Sequence, residues 1–140
     1  MIAWSPHLTP ERAAATGARA VTREELFRHS GVVSLHFVLA PATQGVVSAA
    51  MLALMKPEAF LVNTSRAGLV DEQALLAALR GQRIGGAGLD VFWQEPLPAE
   101  HELCRLDNVL LSPHLGYATP EKSRRRSAAP PLDREIGQLL

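Results

Sequence analysis

At 140 residues the chain is long enough for one domain with its own core and short for a two-domain enzyme. Apolar residues make up 47%, and 14 Lys+Arg balance 14 Asp+Glu, which indicates a soluble globular protein and gives no pointer to nucleic acid, a membrane surface or an acidic partner. Cys104 stands alone and fits a reducing cytoplasm, MIAWSPHLTPER does not read as a secretory signal, and no apolar run approaches the ~20 residues that span a bilayer.

In chain order, Ile2–Ser5 is a very short apolar run. Thr9-Pro10-Glu11 predicts a helix start, with threonine as N-cap and proline in the first turn; Gly17 stops that helix. Ala18–Val21 is a short strand candidate, and Thr22 with Glu25 predicts a capping box at the next helix. Val32–Leu35 is a compact β-branched run. Ser48–Met55 reads as a helix ended by Lys56-Pro57, and Ala59–Val62 as a strand. Asp71 to Arg80 predicts a helix with an apolar stripe at Ala74, Leu75, Ala78 and Leu79, closed by Gly81 in the C′ position. Ile84–Val91 and Val109–Leu111 complete the strands.

Short unbroken apolar strands alternating with helices predict a parallel sheet covered on both faces. Ligands bind such sheets outside the carboxyl ends of the strands. Polar residues stand at four of these ends: Asn63-Thr64-Ser65-Arg66, Asp90, Glu95 and His114. Singly, each has an ordinary structural reading: a surface ion-pair partner, a turn cap, a loop carboxylate, a donor to a backbone carbonyl. Together they bring a cation, carboxylates and an imidazole to one crevice. An imidazole with a carboxylate partner can give and take a proton. A guanidinium matches a substrate carboxylate in two parallel hydrogen bonds. That set suits proton transfer at a carbon bearing oxygen, next to an acid group. Nothing in the pattern suggests a metal site.

The stretches LVNTSRAGLVDEQALLAAL, GAGLDVFWQEPLP and NVLLSPHLGY resemble the cofactor-binding domain of the D-isomer-specific 2-hydroxyacid dehydrogenases, in family order and at family-like spacing. The resemblance runs from Ile2 to about Glu121. It implies an NAD- or NADP-dependent oxidoreductase moving hydride between nicotinamide and a 2-keto or 2-hydroxy acid. It implies that Arg66 binds the substrate carboxylate and carbonyl, that His114 is the general acid/base, and that Glu95 holds and tunes His114. Asp90 would contact the nicotinamide carboxamide. Phe37, Thr43, Thr64 and Ser65 would line the cofactor, with Gly116 allowing close approach beside His114. Ser5 falls where many relatives carry an aspartate for the adenosine ribose, which leaves NAD and NADP both open. Ala67 replaces the glycine usual after the family arginine, and Phe37-Val38-Leu39 a proline-bearing turn.

The fold class expected is α/β: a partial Rossmann-like, doubly wound parallel sheet over 1–121, without its central first strand, followed by a divergent, partly helical tail at 122–140. No strand–G-x-G-x-x-G–helix turn occurs in the sequence; Gly85-Gly86-Ala87-Gly88 leads into a strand instead of opening a helix. Ile2–Val21 should therefore form a separate pair of strands from those starting at Val32, with exposed parallel edges between them. In the tail, Pro130-Pro131 should break a helix that resumes at Asp133–Leu140. Two readings follow. One is an oxidoreductase fragment, incompetent in isolation. The other is a non-catalytic remnant, a binding or dimerisation module that pairs with itself or with a full-length relative.

Overall fold

The computed structural model describes residues 1–116; the tail expected at 122–140 lies outside them. Strand β1 (Ile2–Ala3) leads to helix α1 (Pro10–Ala14), strand β2 (Arg19–Ala20) and helix α2 (Arg23–His29). Strand β3 (Val32–Leu35), helix α3 (Ala49–Leu54), strand β4 (Phe60–Asn63), helix α4 (Glu72–Arg80), strand β5 (Gly86–Leu89) and strand β6 (Val109–Leu111) follow.

Local chemistry accounts for most helix boundaries. Thr9 Oγ1 accepts the Arg12 N–H at 3.3 Å and Pro10 needs no amide partner there. Gly17, at φ +72°, turns the chain out of α1 into β2. Thr22 and Glu25 form the predicted capping box, with the Glu25 N–H reaching Thr22 Oγ1 at 3.2 Å and the Thr22 N–H reaching Glu25 Oε2 at 2.9 Å. Asp71 Oδ1 accepts the Ala74 N–H at 3.0 Å and starts α4. The exit from α4 differs from expectation. Gly81 keeps φ −78°, and Gln82 takes the left-handed conformation at φ +49°. The Gly81 and Arg83 N–H groups close the last turn on Ala77 and Ala78 carbonyls, so the reversal falls one residue later.

Strands β3-β4-β5-β6 form one parallel sheet in sequence order, with Leu35↔Asn63, Asn63↔Leu89 and Leu89↔Leu111 in register. β1 and β2 pair in parallel as a separate two-stranded sheet, and no ladder joins them to β3 among the described residues. The two units meet through α2, which packs on α3 and buries Phe27 in the main core, and through an edge-to-face contact of Trp4 with Phe37.

The core lies on one side of the larger sheet. Val33, Leu35, Leu61, Ala87 and Leu89 pack against Leu52, Met55, Leu75 and Leu79 of the helices. The opposite side carries Val32, Phe60 and Leu110, at 61%, 48% and 76% exposure. The expected cover on both faces is thus not supplied by the described residues. The reason is topological: when each right-handed crossover steps to the next strand in the same direction, successive helices land on the same face. Two short 3-10 turns (Ala67–Leu69 and Glu102–Arg105) and a parallel bridge between Val47 and Val70 were not foreseen in the sequence.

Candidate active site

Parallel strands put the loops after β3, β4, β5 and β6 at one edge, and the polar residues read from the sequence converge there. The loop after β4 is fastened by Asn63, whose side chain is buried. Its amide donates to the Arg66 carbonyl at 3.0 Å and its Oδ1 accepts the Ser65 N–H at 3.1 Å. The Ser65 hydroxyl donates to the Leu35 carbonyl at 2.9 Å, tying this loop to the end of β3. Arg66 is exposed, and one of its N–H groups donates to the Ser65 carbonyl at 2.7 Å. Asn63 had no assigned role in the sequence; an asparagine two residues before Ser65 is the turn signal that could have shown it.

Asp90 organises the loop after β6. Its Oδ1 accepts the Leu115 N–H at 2.8 Å and its Oδ2 the Gly116 N–H at 2.7 Å. Burial pushes the Asp90 carboxyl up, but hydrogen bonds from Ser112, Gly116 and Leu115 and the charge of His114 outweigh it and hold it below its usual value. Gly116 is required by space: a Cβ there would stand 2.9 Å from Asp90 Oδ2 and 3.8 Å from Thr64 Cβ. The bare Cα of Gly116 thus sits close against Asp90 and Thr64.

His114 adopts φ +54°, an uncommon conformation for a residue with a Cβ. Its N–H donates to the Ser112 carbonyl at 2.9 Å, and its Nδ1 lies 2.8 Å from Glu95 Oε2. The carboxylate can only accept, so Nδ1 carries the proton in this contact. Glu95 is itself aimed by the Phe92 N–H, which reaches Oε1 at 3.0 Å. Burial raises the Glu95 carboxyl; the bonds from His114 and Phe92 and the charges of His114 and Arg66 prevail and lower it. The Arg66 cation thus acts on the same carboxylate that holds the imidazole. Among the described residues no cluster of His, Cys, Asp or Glu is arranged to hold a metal ion.

The remaining candidates form a second group. Ser5 lines a crevice of about 730 Å³ with Trp4, Leu8 and Val21, at the carboxyl ends of β1 and β2. Phe37 adjoins it through Trp4, with ring centroids 5.6 Å apart. The Thr43 hydroxyl donates to the Val38 carbonyl at 2.7 Å and accepts the Ala40 N–H at 2.9 Å, so it shapes the loop after β3.

The sequence matches the model of the D-isomer specific 2-hydroxyacid dehydrogenase, NAD binding domain, over residues 1–116. The chain belongs to this family. It is 43% identical over 121 residues to a D-3-phosphoglycerate dehydrogenase of Synechocystis sp., a stretch covering 86% of this chain and 22% of that protein. It is 46% identical over 121 residues to a glyoxylate reductase of Thermococcus litoralis, covering 86% of this chain and 36% of the relative. The crystal structure of a phosphoglycerate oxidoreductase from Vibrio cholerae o395 superposes with a TM-score of 0.80 at 36% identity, over 86% of this chain and 39% of that one. The 2-hydroxyacid dehydrogenase relatives are thus matched over well under half of their own length. The likeness covers both residue groups, and its fold is the Rossmann-like parallel α/β architecture described above. No helix among the described residues is long and apolar enough to cross a membrane.

Proposed function

We propose that this chain carries the proton-transfer and carboxylate-binding residues of a nicotinamide-dependent 2-hydroxyacid dehydrogenase. The observation that carries the reading is the 2.8 Å contact between His114 Nδ1 and Glu95 Oε2, set beside the Arg66 cation at the carboxyl edge of a parallel sheet.

A nicotinamide cofactor, NAD or NADP, fits part of this edge. The crevice at Ser5 has the volume of a small-molecule site. The cofactor's phosphates call for backbone N–H groups such as a glycine-rich turn supplies, and the described residues include no such turn. When bound, the nicotinamide supplies or takes the hydride at the substrate's C2.

The chain's own residues do the rest. The Arg66 fork pairs with the substrate carboxylate and fixes which face of the keto group is presented. His114 donates a proton to the keto oxygen through Nε2, the ring nitrogen that does not face Glu95, and takes it back in the reverse direction. Glu95 holds the ring in one orientation and offsets the charge that the imidazolium carries. The substrate is accordingly a small 2-keto or 2-hydroxy acid.

Titration of glyoxylate and hydroxypyruvate with reduced cofactor, followed through the His114 imidazole resonances, tests this. The expected result is a saturable shift that Arg66→Gln removes. Resonances indifferent to both acids would overturn it. A second reading, a strand-pairing module, is favoured by the absent ladder between β1 and β3. It predicts association of the chain with no response at His114.

A further inference from the structure

We infer that His101 is a positioning residue acting from outside the site: by tethering the loop that carries Glu95 to the start of α4, it holds Glu95, and through Glu95 the His114 imidazole, in one frame with Arg66. The inference rests on the reading of that site as 2-hydroxyacid dehydrogenase machinery.

His101 uses both ring nitrogens. Nδ1 accepts the Leu103 N–H at 3.2 Å and caps the 3-10 turn Glu102–Arg105. Nδ1 therefore carries no proton, and it is the Nε2–H that donates to Glu72 Oε1 at 3.2 Å, across 29 positions of sequence. The cap alone would complete an ordinary loop histidine; the second contact reaches another element. Both side chains are largely shielded, at 21% and 30% exposure, so water dilutes the bond less than it would a surface pair. The neighbouring Glu102 accepts the fork of Arg80, at 2.7 and 2.9 Å, at the far end of α4. Residues 101 and 102 thus grip that helix at its first and last turns.

Glu95 sits between this tether and a second one. Two residues before it, the Trp93 indole N–H donates to the Val70 carbonyl at 3.2 Å. Six residues after it comes His101, and the span between contains Pro96 and Pro98, whose rings fix φ and leave little slack. The Pro98 carbonyl accepts the His101 N–H at 3.0 Å. Both tethers land on the stretch from Val70 to Glu72, which is firmly packed in its own right. Val47, Leu69 and Val70 are buried, the Val47 N–H donates to the Leu69 carbonyl, and the Asp71 N–H to the Val47 carbonyl, each at 3.0 Å. The same stretch continues the Arg66 turn, since the Leu69 N–H donates to the Arg66 carbonyl at 3.2 Å. One anchor therefore serves both the guanidinium loop and the carboxylate loop. Cutting the His101 tether leaves Glu95 held from one side only, and its bonds to the Phe92 N–H and to His114 should loosen together.

The test uses the unliganded 140-residue chain, followed by nuclear magnetic resonance, with two variants that cut the tether from opposite ends. His101→Asn keeps an acceptor for the Leu103 N–H but is too short to reach Glu72; Glu72→Ala leaves His101 and its cap in place. Each should speed amide exchange at Phe92 about threefold or more and move the His114 Nδ1 resonance toward that of an unbonded imidazole. The double variant should do no more than either single one, because both remove the same contact. Phe92 exchange and His114 resonances that match the wild type in either variant overturn the inference. A loss confined to the melting temperature, with His114 unmoved, overturns it too. Glyoxylate or hydroxypyruvate added afterwards tests the dehydrogenase reading separately: wild-type resonances indifferent to both acids sink that reading and leave the tether, measured on the free chain, standing.

Discussion

Asp90 and Gly116, 26 positions apart in sequence, meet through a 2.7 Å hydrogen bond in which the glycine N–H donates to Oδ2. With the Leu115 N–H on the other oxygen, a single carboxylate holds the loop that presents His114. Asp90→Asn keeps the shape but turns an N–H₂ group toward one of these N–H donors. The expected cost is ~1–3 kcal/mol of stability, the penalty of a buried donor left unmatched. Amide exchange at Leu115 and Gly116 should rise with it, and unchanged protection there would contradict the clamp.

Gly116→Ala tests the same relationship from the other side. The added methyl would stand 2.9 Å from the oxygen that accepts the Gly116 N–H, so the bond and the contact cannot both persist. A loss of about 1–3 kcal/mol is expected, as for overpacking elsewhere. Gly88→Ala, whose Cβ would be 4.0 Å from its nearest neighbour, Val62 Cγ2, should cost less. Denaturant midpoints of the two variants decide it.

Glu95 and Asp90 both have folded-state carboxyls below their usual values. Depressed acid groups contribute stability that is complete above the unfolded-state value, 4.5 for Glu95 and 3.8 for Asp90, and that is lost as pH falls through the lower folded value. The melting temperature should therefore drop on acidification across and below this range. Glu95→Gln should flatten part of that drop. A variant with an acid limb identical to the wild type would show that Glu95 contributes nothing to it.

Catalysis should follow His114. Positioning of the reacting carbons is worth ~7–11 kcal/mol in such reactions, and these residues include no turn that anchors the cofactor phosphates. The 140-residue chain alone should give no measurable oxidation of reduced cofactor with glyoxylate or hydroxypyruvate. Adding the glycine-rich segment of a full-length relative as a separate polypeptide should bring activity up. His114→Asn, which tolerates φ +54° but holds no exchangeable proton of suitable strength, should then abolish most of it. Robust turnover by the chain alone, or restored turnover indifferent to His114, would refute the assignment.

Core and bare face of the larger sheet should respond differently. Leu61 is fully buried between β4 and the helices, and Leu61→Ala should cost ~2–5 kcal/mol. Val32 is 61% exposed on the other side, and Val32→Thr should stay within about 0.5 kcal/mol. Urea unfolding of both variants checks the sidedness.

Much of the fold was legible because its signals are local. Thr9, Thr22 and Asp71 announce helices through side chains that reach only three residues, and Val32–Leu35 is a compact strand run opened by two β-branched valines. Arg66, Glu95 and His114 were legible through family motifs, and the structure brings Glu95 and His114 into contact. What stayed hidden is what depends on distant partners. Both oxygens of Asp90 accept N–H groups 25 and 26 residues away, a clamp that no local signal announces. The left-handed turn at Gln82 instead of Gly81 is fixed by carbonyls inside α4 that any side chain could have topped. The one-sided cover of the sheet follows from strand order, which composition does not encode.

The register of the larger sheet sets a scale for the chemistry. Asn63, Leu89 and Leu111 lie side by side on β4, β5 and β6, and the loops bearing Arg66, Glu95 and His114 leave from just beyond them. Neighbouring strands sit about 4.8 Å apart, so the sheet works as a ruler whose divisions are whole strands. The spacing of the points from which these loops leave is graduated in those steps and cannot be adjusted by sliding one strand, since a one-residue slip would send every side chain to the opposite face. Any ligand held across this edge would then be sized by the loops around the ruler, while the gap between its marks stays constant.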